Sequence, residues 1–235
     1  MCGRVVQKTP LAEIRVLFEM VNPVPNAAAT YNGAPTQNLA VVRLDAEGSR
    51  SLDLLRWGLI PSWAKDKAIR PRLINAMAET VATKPSFRDA FRRRRCLVPV
   101  DFFYEWQKTG GGKQSSGKQP SGRQPYAVGL ADGLPMALAG LWERWRDPED
   151  GAALQTFTVI TGPPNELVAP IHNRMPVILP RQAWRSWLGE ERAEPDELLA
   201  LLRPYPAEAM RAYKVAPRVG NVRNNDPELL TPIAA

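Results

Sequence analysis

One histidine and two cysteines are all that 235 residues hold of the side chains that most often bind transition metals. Cys2 stands near the N-terminal end and Cys96 inside an apolar segment, so neither a disulfide framework nor ordinary His/Cys zinc spacing can be written for this chain. No metal and no cofactor is expected. Long apolar runs are missing too. Nothing approaches the roughly 18–20 residues that a membrane span needs, and no basic stretch followed by an apolar one marks a secretory leader. The expectation is a cytoplasmic protein without a membrane partner. Acidic residues are in deficit, with 24 Asp and Glu against 31 Lys and Arg, a net charge of +7. That balance suits a polyanionic partner, although a solvated basic surface gives the same figure.

What remains has the composition of a globular domain able to bury a core, 44% hydrophobic and 23% charged. No repeat and no domain boundary is visible, so residues 1–235 read as one domain. Gly3–Val6 reads as a strand, and Thr9-Pro10 as the cap and first position of a helix that turns Leu11, Ile14, Leu17 and Phe18 to the core. Leu39–Leu44 and Ser51–Trp57 form a hairpin across Asp45–Gly48. Ser86 caps a short helix through Phe87, Ala90 and Phe91, ending in the solvated run Arg92–Arg95. Strands follow at Cys96–Val100 and Phe102–Trp106, then a Gly/Ser/Lys/Gln-rich hairpin tip at 109–124, then strands at Tyr126–Leu130, Met136–Trp142 and Phe157–Thr161. Asn165 opens a helical turn, Val177–Leu179 is a strand, two surface helices occupy Arg181–Leu188 and Asp196–Leu202, and a last strand runs Tyr213–Val222. The fold class is therefore α+β. One β-rich domain is expected, built on a curved or barrel-like, mostly antiparallel sheet with helices at its periphery.

Five places along the chain carry chemistry. If Met1 is removed, Cys2 presents an α-amine and a thiol on adjacent carbons, with reference pKa values of about 7.7–8.0 and about 8.5. A vicinal aminothiol can attack an aldehyde through nitrogen and then through sulfur, closing a thiazolidine, or attack an acyl carbon through sulfur alone. A cysteine placed second by chance has the same sequence. Trp57-Gly58-Leu59-Ile60-Pro61-Ser62-Trp63, beside Lys65, Lys67, Arg70 and Arg72, has the make-up of a groove that stacks bases and follows a phosphate backbone. Core packing of at least one of Trp57 and Trp63 is the competing reading. Asn75, set among small and apolar neighbours, is either a structural clasp or a positioned donor. Glu105 lies between Tyr104 and Trp106 in a strand whose alternation points it to solvent; walled in, it would titrate nearer neutrality. His172 sits at a polar break before Arg174-Met175-Pro176, as a structural residue or a proton carrier.

Taken together, Met1-Cys2-Gly3-Arg4, the 57–63 loop, Asn75-Ala76 with Glu79-Thr80, Phe103–Trp106, Gly140–Glu143 and Ile171-His172 with Arg174–Pro176 resemble the SOS response-associated peptidase (SRAP) family in order and spacing. The resemblance runs nearly the whole chain, to the 219–225 segment. It implies a protein that captures abasic sites in single-stranded DNA covalently and shields them during the DNA damage response, acting as a monomer and associated with the nucleoid when bound to DNA. By that resemblance Cys2 is the nucleophile, Asn75 orients it, Glu105 handles protons for imine formation and His172 assists opening of the abasic sugar. Arg4, Trp63 and Arg88 resemble its strand-contacting positions, which implies salt-sensitive binding. The chain departs from the family pattern at Met77, where an Arg is usual, near Phe102, and at Asn173. Met77 leaves more of the DNA grip to Arg70 and Arg72. Two other functions fit the same residues. One is an N-terminal-nucleophile hydrolase or autopeptidase using Cys2 for acyl attack and Asn75 as oxyanion donor. The other is a basic single-strand binder in which Cys2 is idle.

Overall fold

The computed structural model describes residues 2–65, 73–109 and 122–233. The architecture is three layers: helices on a seven-stranded sheet, and a five-stranded sheet on that sheet's other face. In chain order the strands are β1 (Val5–Gln7), β2 (Thr30–Gly33), β3 (Asn38–Leu44), β4 (Arg50–Trp57), β5 (Asn75–Met77), β6 (Arg95–Val100), β7 (Phe102–Lys108), β8 (Arg123–Leu130), β9 (Met136–Arg146), β10 (Ala153–Gly162), β11 (Met175–Pro176) and β12 (Met210–Lys214). The helices are α1 (Leu11–Leu17), α2 (Arg88–Arg93), α3 (Trp184–Leu188) and α4 (Pro195–Ala200). The larger sheet runs β11-β10-β4-β3-β6-β9, and β9 pairs back onto β10, so its pairings close on themselves as the barrel-like expectation required. All pairings are antiparallel except those of β10 with β4 and with β5. The smaller sheet runs β12-β8-β7-β1-β2.

Period-two alternation explains the layers. Along β3, Ala40 and Val42 face the helices with Ile14, Phe18, Phe91 and Trp187, while Leu39 and Val41 face the second sheet with Val5, Phe103 and Val128. Along β9, Ala137, Ala139 and Leu141 divide from Met136 and Leu138 in the same way. The outer face of the smaller sheet is covered as well, since Val6, Phe102, Tyr104 and Ala127 pack against Val215, Val219 and Leu229 of the C-terminal segment. Both sheets are therefore buried on both faces over much of their length.

Local details correct several readings. Thr9 is no helix cap; its hydroxyl and backbone N–H go to Asp101, and Pro10 precedes α1 without a side-chain cap. Ser86 likewise gives way to Phe87 at the start of α2. The arginine run is only partly solvated: Arg94 pairs with buried Glu143, and Arg95 donates to the carbonyls of Trp187 and Phe91. The strand expected at Val177–Leu179 is β11, two residues earlier, followed by an isolated bridge at Ile178. The last strand ends at Lys214 because Pro217 opens a 3-10 turn. Most of the 109–124 segment lies outside the described residues, but β7 and β8 pair as a hairpin on either side of it.

Candidate active site

Cys2 enters the core just before β1 and is completely buried, packed with Val5, Trp57, Phe103, Phe157 and Val159 between the two sheets. Burial pushes its thiol up from the ordinary cysteine range, and the nearby carboxylate of Glu105 pushes it further the same way. The thiol is therefore neutral near physiological pH.

Asn75 reaches this residue from β5. Its amide Nδ2 donates to the Cys2 carbonyl at 2.7 Å, while its Oδ1 is buried without a hydrogen-bond partner among the described residues. The placement of β5 is over-determined. Asn75, Ala76 and Met77 pair in parallel with Val159, Ile160 and Thr161 of β10. The residue before them, Ile74, accepts at its carbonyl from Val159 N at 3.2 Å and from the indole Nε1 of Trp57 at 2.9 Å.

Glu105 comes from β7, paired opposite Tyr126, and is 2% exposed. The solvent-facing reading is thus corrected. Its strand lies in the middle of the smaller sheet with both faces covered, so alternation separates two interiors rather than an inside from an outside. Glu105 falls on the Phe103 face, the one that looks at Cys2. Burial raises its carboxyl above the usual carboxylate range, and the charge of His172 works in the opposite direction.

His172 closes the group. The turn that carries it is built by Asn165, whose Oδ1 accepts from Val168 N at 3.0 Å and whose Nδ2 donates to Tyr205 O at 2.8 Å. His172 Nε2 lies 4.0 Å from Glu105 Oε2. On the other side of the ring, Nδ1 accepts from Arg174 N at 3.1 Å and has Arg174 O at the same distance. The neutral ring can accept from the N–H, and the charged ring can donate to the carbonyl, so both protonation states find a partner. The structure thus brings Cys2, Asn75, Glu105 and His172 together from four separate segments.

The expected strand-contacting residues divide. Trp63 is 56% exposed and available as a stacking face. Arg88 is exposed on α2 beside Asp89. Arg70 and Arg72 lie outside the described residues. Trp57 is corrected: it ends β4, is completely buried and stacked on Phe157, and offers no face to a base. The chain leaves the strand there because Gly58 takes a φ of 117°, a conformation that favours glycine. Trp57 instead holds Ile74, and through it β5. Trp57→Phe, which deletes that donor and leaves a void, is expected to destabilise the protein by about 2 kcal/mol in denaturant titrations. An unchanged midpoint would show that the indole holds nothing. Arg4 is half-buried and already engaged. Its guanidinium donates to Asn32 Oδ1 and Val219 O, both at 2.8 Å, and to Gly220 O at 3.2 Å, tying the 219–224 segment to β1 and β2. It fastens the C-terminal segment.

Asn165 opens its turn as the sequence reading expected, whereas that reading assigned nothing to Trp57 as a clamp, or to Glu79 and Arg174. Glu79 and Arg174 stood inside the quoted motifs, which was the only signal available. Among the described residues no group of three or more His, Cys, Asp or Glu could hold a metal, and no helix is long and apolar enough to cross a membrane.

Known proteins resemble this chain over most of its length. The abasic site processing protein YoqW of Bacillus subtilis (strain 168) is 41% identical over 232 residues, covering 98% of this chain and 99% of the relative. The abasic site processing protein HMCES of Gallus gallus is 34% identical, covering 87% of this chain and 66% of its own length. A crystal structure of a protein from Bacteroides thetaiotaomicron superposes over 99% of this chain with a TM-score of 0.86 at 24% identity, which shows the shared fold. The model of the family described as SOS response associated peptidase (SRAP) matches residues 1–222, and the chain belongs to that family.

Proposed function

We propose that this protein processes abasic sites in DNA, trapping the ring-opened aldehyde of a single-stranded abasic site on Cys2 as a thiazolidine. The observation that carries the reading is the convergence on Cys2 of an amide bonded to its backbone and a buried carboxyl–imidazole pair. The processing of abasic sites named for the relatives supports the substrate.

The chemistry follows from the groups present. Once Met1 is removed, the α-amine of Cys2 adds to the aldehyde carbon, and the resulting carbinolamine expels water, its hydroxyl leaving with a proton from the Glu105 carboxyl. A carboxyl raised by burial keeps that proton near neutrality more readily than a solvated one. The sulfur then adds to the imine carbon and its proton ends on the ring nitrogen. One water is released overall. A neutral buried thiol suits this order, because nitrogen must act first and sulfur need not wait as a thiolate. Asn75 fixes the Cys2 backbone through Nδ2, and its unpartnered Oδ1 can accept from the attacking amine or the carbinolamine hydroxyl. His172, within reach of the same carboxylate, can return the proton and assist opening of the sugar.

Intact mass after incubation with a single-stranded oligonucleotide carrying one abasic site tests the reading. The expected product is the protein without Met1 plus the strand less one water, surviving denaturation and absent with the intact strand. A form with an uncleaved residue before Cys2 has an amide in place of the amine and is expected to give no adduct. An adduct of equal yield from the extended form would overturn the amine-first route.

A further inference from the structure

His172 and Asn75 come from segments distant in sequence, yet one ion pair ties the two segments together. Asn75 lies on β5, and four residues on, Glu79 presents a carboxylate that receives both terminal nitrogens of Arg174, with Nη2 at 2.9 Å from Oε2. The same Nη2 donates to the carbonyl of Thr161 on β10. That carbonyl also accepts from Ala78 N at 2.9 Å, at the point where β5 leaves β10. The backbone of Arg174 meanwhile holds the His172 ring, with both its N–H and its carbonyl 3.1 Å from Nδ1.

We infer that Glu79 is a positioning residue, acting through Arg174 to fix the His172 ring against Glu105 and the end of β5 against β10. Arg174 has three jobs on one residue: its guanidinium meets the Glu79 carboxylate and the Thr161 carbonyl together, and its backbone carries the groups that face the His172 ring. A bidentate arginine–carboxylate pair is suited to this because it fixes orientation as well as distance. The side chain of Arg174 is 15% exposed and that of Glu79 47%, so the pair lies at the edge of the site. At such an edge its contribution to global stability is small. Its effect on reactivity is larger, since displacement of a reacting group by about 1 Å can cost on the order of 100-fold in rate.

The inference rests on the aldehyde-trapping reading above, and the experiment separates the two. Adduct formation with the abasic strand is followed in time for the parent, Glu79→Gln, Glu79→Asp and Arg174→Lys over a range of strand concentrations, with melting temperatures and affinity for the intact strand measured in parallel. Glu79→Gln, which keeps the shape but loses the charge, is expected to lower the limiting rate about tenfold. Its half-saturating strand concentration, intact-strand affinity and melting temperature are expected to stay near those of the parent. Glu79→Asp, keeping a carboxylate on a shorter arm, is expected to recover part of the rate, and Arg174→Lys, which cannot bind in bidentate fashion, to be as slow as Glu79→Gln. A parental limiting rate in Glu79→Gln overturns the inference. So does tighter intact-strand binding in Glu79→Gln with an unaltered limiting rate, which would mean that the carboxylate merely competes with phosphate for Arg174. A parent that forms no adduct at all overturns the aldehyde-trapping reading instead.

Discussion

Cys2→Ala is expected to abolish the denaturation-resistant adduct with an abasic strand while leaving the fold and intact-strand affinity near those of the parent. The substitution removes only sulfur. The alanine variant, once Met1 is cleaved, still carries an α-amine, still has the carbonyl of its first residue available to Asn75 Nδ2, and still faces the Glu105 carboxyl. Nitrogen can therefore add to the aldehyde and lose water as before. The imine then has no thiol to capture it, and water reverses it on denaturation. Addition of borohydride, which reduces an imine to a stable amine, is expected to restore a covalent adduct in Cys2→Ala but not in a form whose α-amine is blocked. An adduct of parental yield from Cys2→Ala without reductant would sink the thiazolidine assignment. The hydrolase reading makes the opposite demand: it requires turnover of a peptide or amide without DNA, and loss of that turnover, with or without reductant, in Cys2→Ala. The void left by the sulfur is small, and truncations of this size in a core cost on the order of 1 kcal/mol. Loss of the adduct therefore cannot be put down to unfolding.

How much of this was legible beforehand depended on what each residue borrowed from its neighbours. The hairpin of β3 and β4 follows from two strand-length apolar runs on either side of a turn, and the buried faces of α1 and α3 from local periodicity, because a helix packs on one side and the pattern records it. Glu105 could not be placed that way. Its strand has interiors on both faces, and neither burial nor direction is encoded in a run where Phe102, Phe103, Tyr104 and Glu105 are all buried. Trp57 was legible as the end of a strand, but not as a clamp, because its indole is matched by the carbonyl of Ile74, seventeen residues on. Thr9 and Ser86 show the converse. Each has the right residue type to cap a helix, and for Thr9 a long-range partner, Asp101, takes the hydroxyl instead. The four residues of the site share no local pattern at all. Their assembly is a property of sheet order, with β5 and β4 laid successively along β10 and the smaller sheet set across them.

Glu105→Gln is expected to do two opposite things, and together they identify the carboxyl as a functional cost to the fold. The amide cannot donate an acidic proton to the leaving hydroxyl, so the limiting rate of adduct formation should fall by roughly 100-fold, the usual scale for losing a positioned general acid. Stability should move the other way. The folded-state pKa of Glu105 is raised by burial above its unfolded value of about 4.3, so the folded state holds the proton over a range where the unfolded state has released it. Well below pH ~4.3 both states are protonated and the group contributes no pH dependence. As pH rises from there through the folded value, keeping or ionising a buried carboxyl costs folding free energy, and parental stability declines relative to a variant that cannot ionise. The difference in melting temperature between Glu105→Gln and the parent is therefore expected to grow in favour of the variant from acidic toward neutral pH and to level off once Glu105 is ionised in both states. His172 limits the size of the effect, because its charged form stabilises the carboxylate. A gap that is constant with pH, or that closes as pH rises, would mean that Glu105 sits in the fold as a comfortable carboxylate. The proton for dehydration would then have to come from elsewhere in the site.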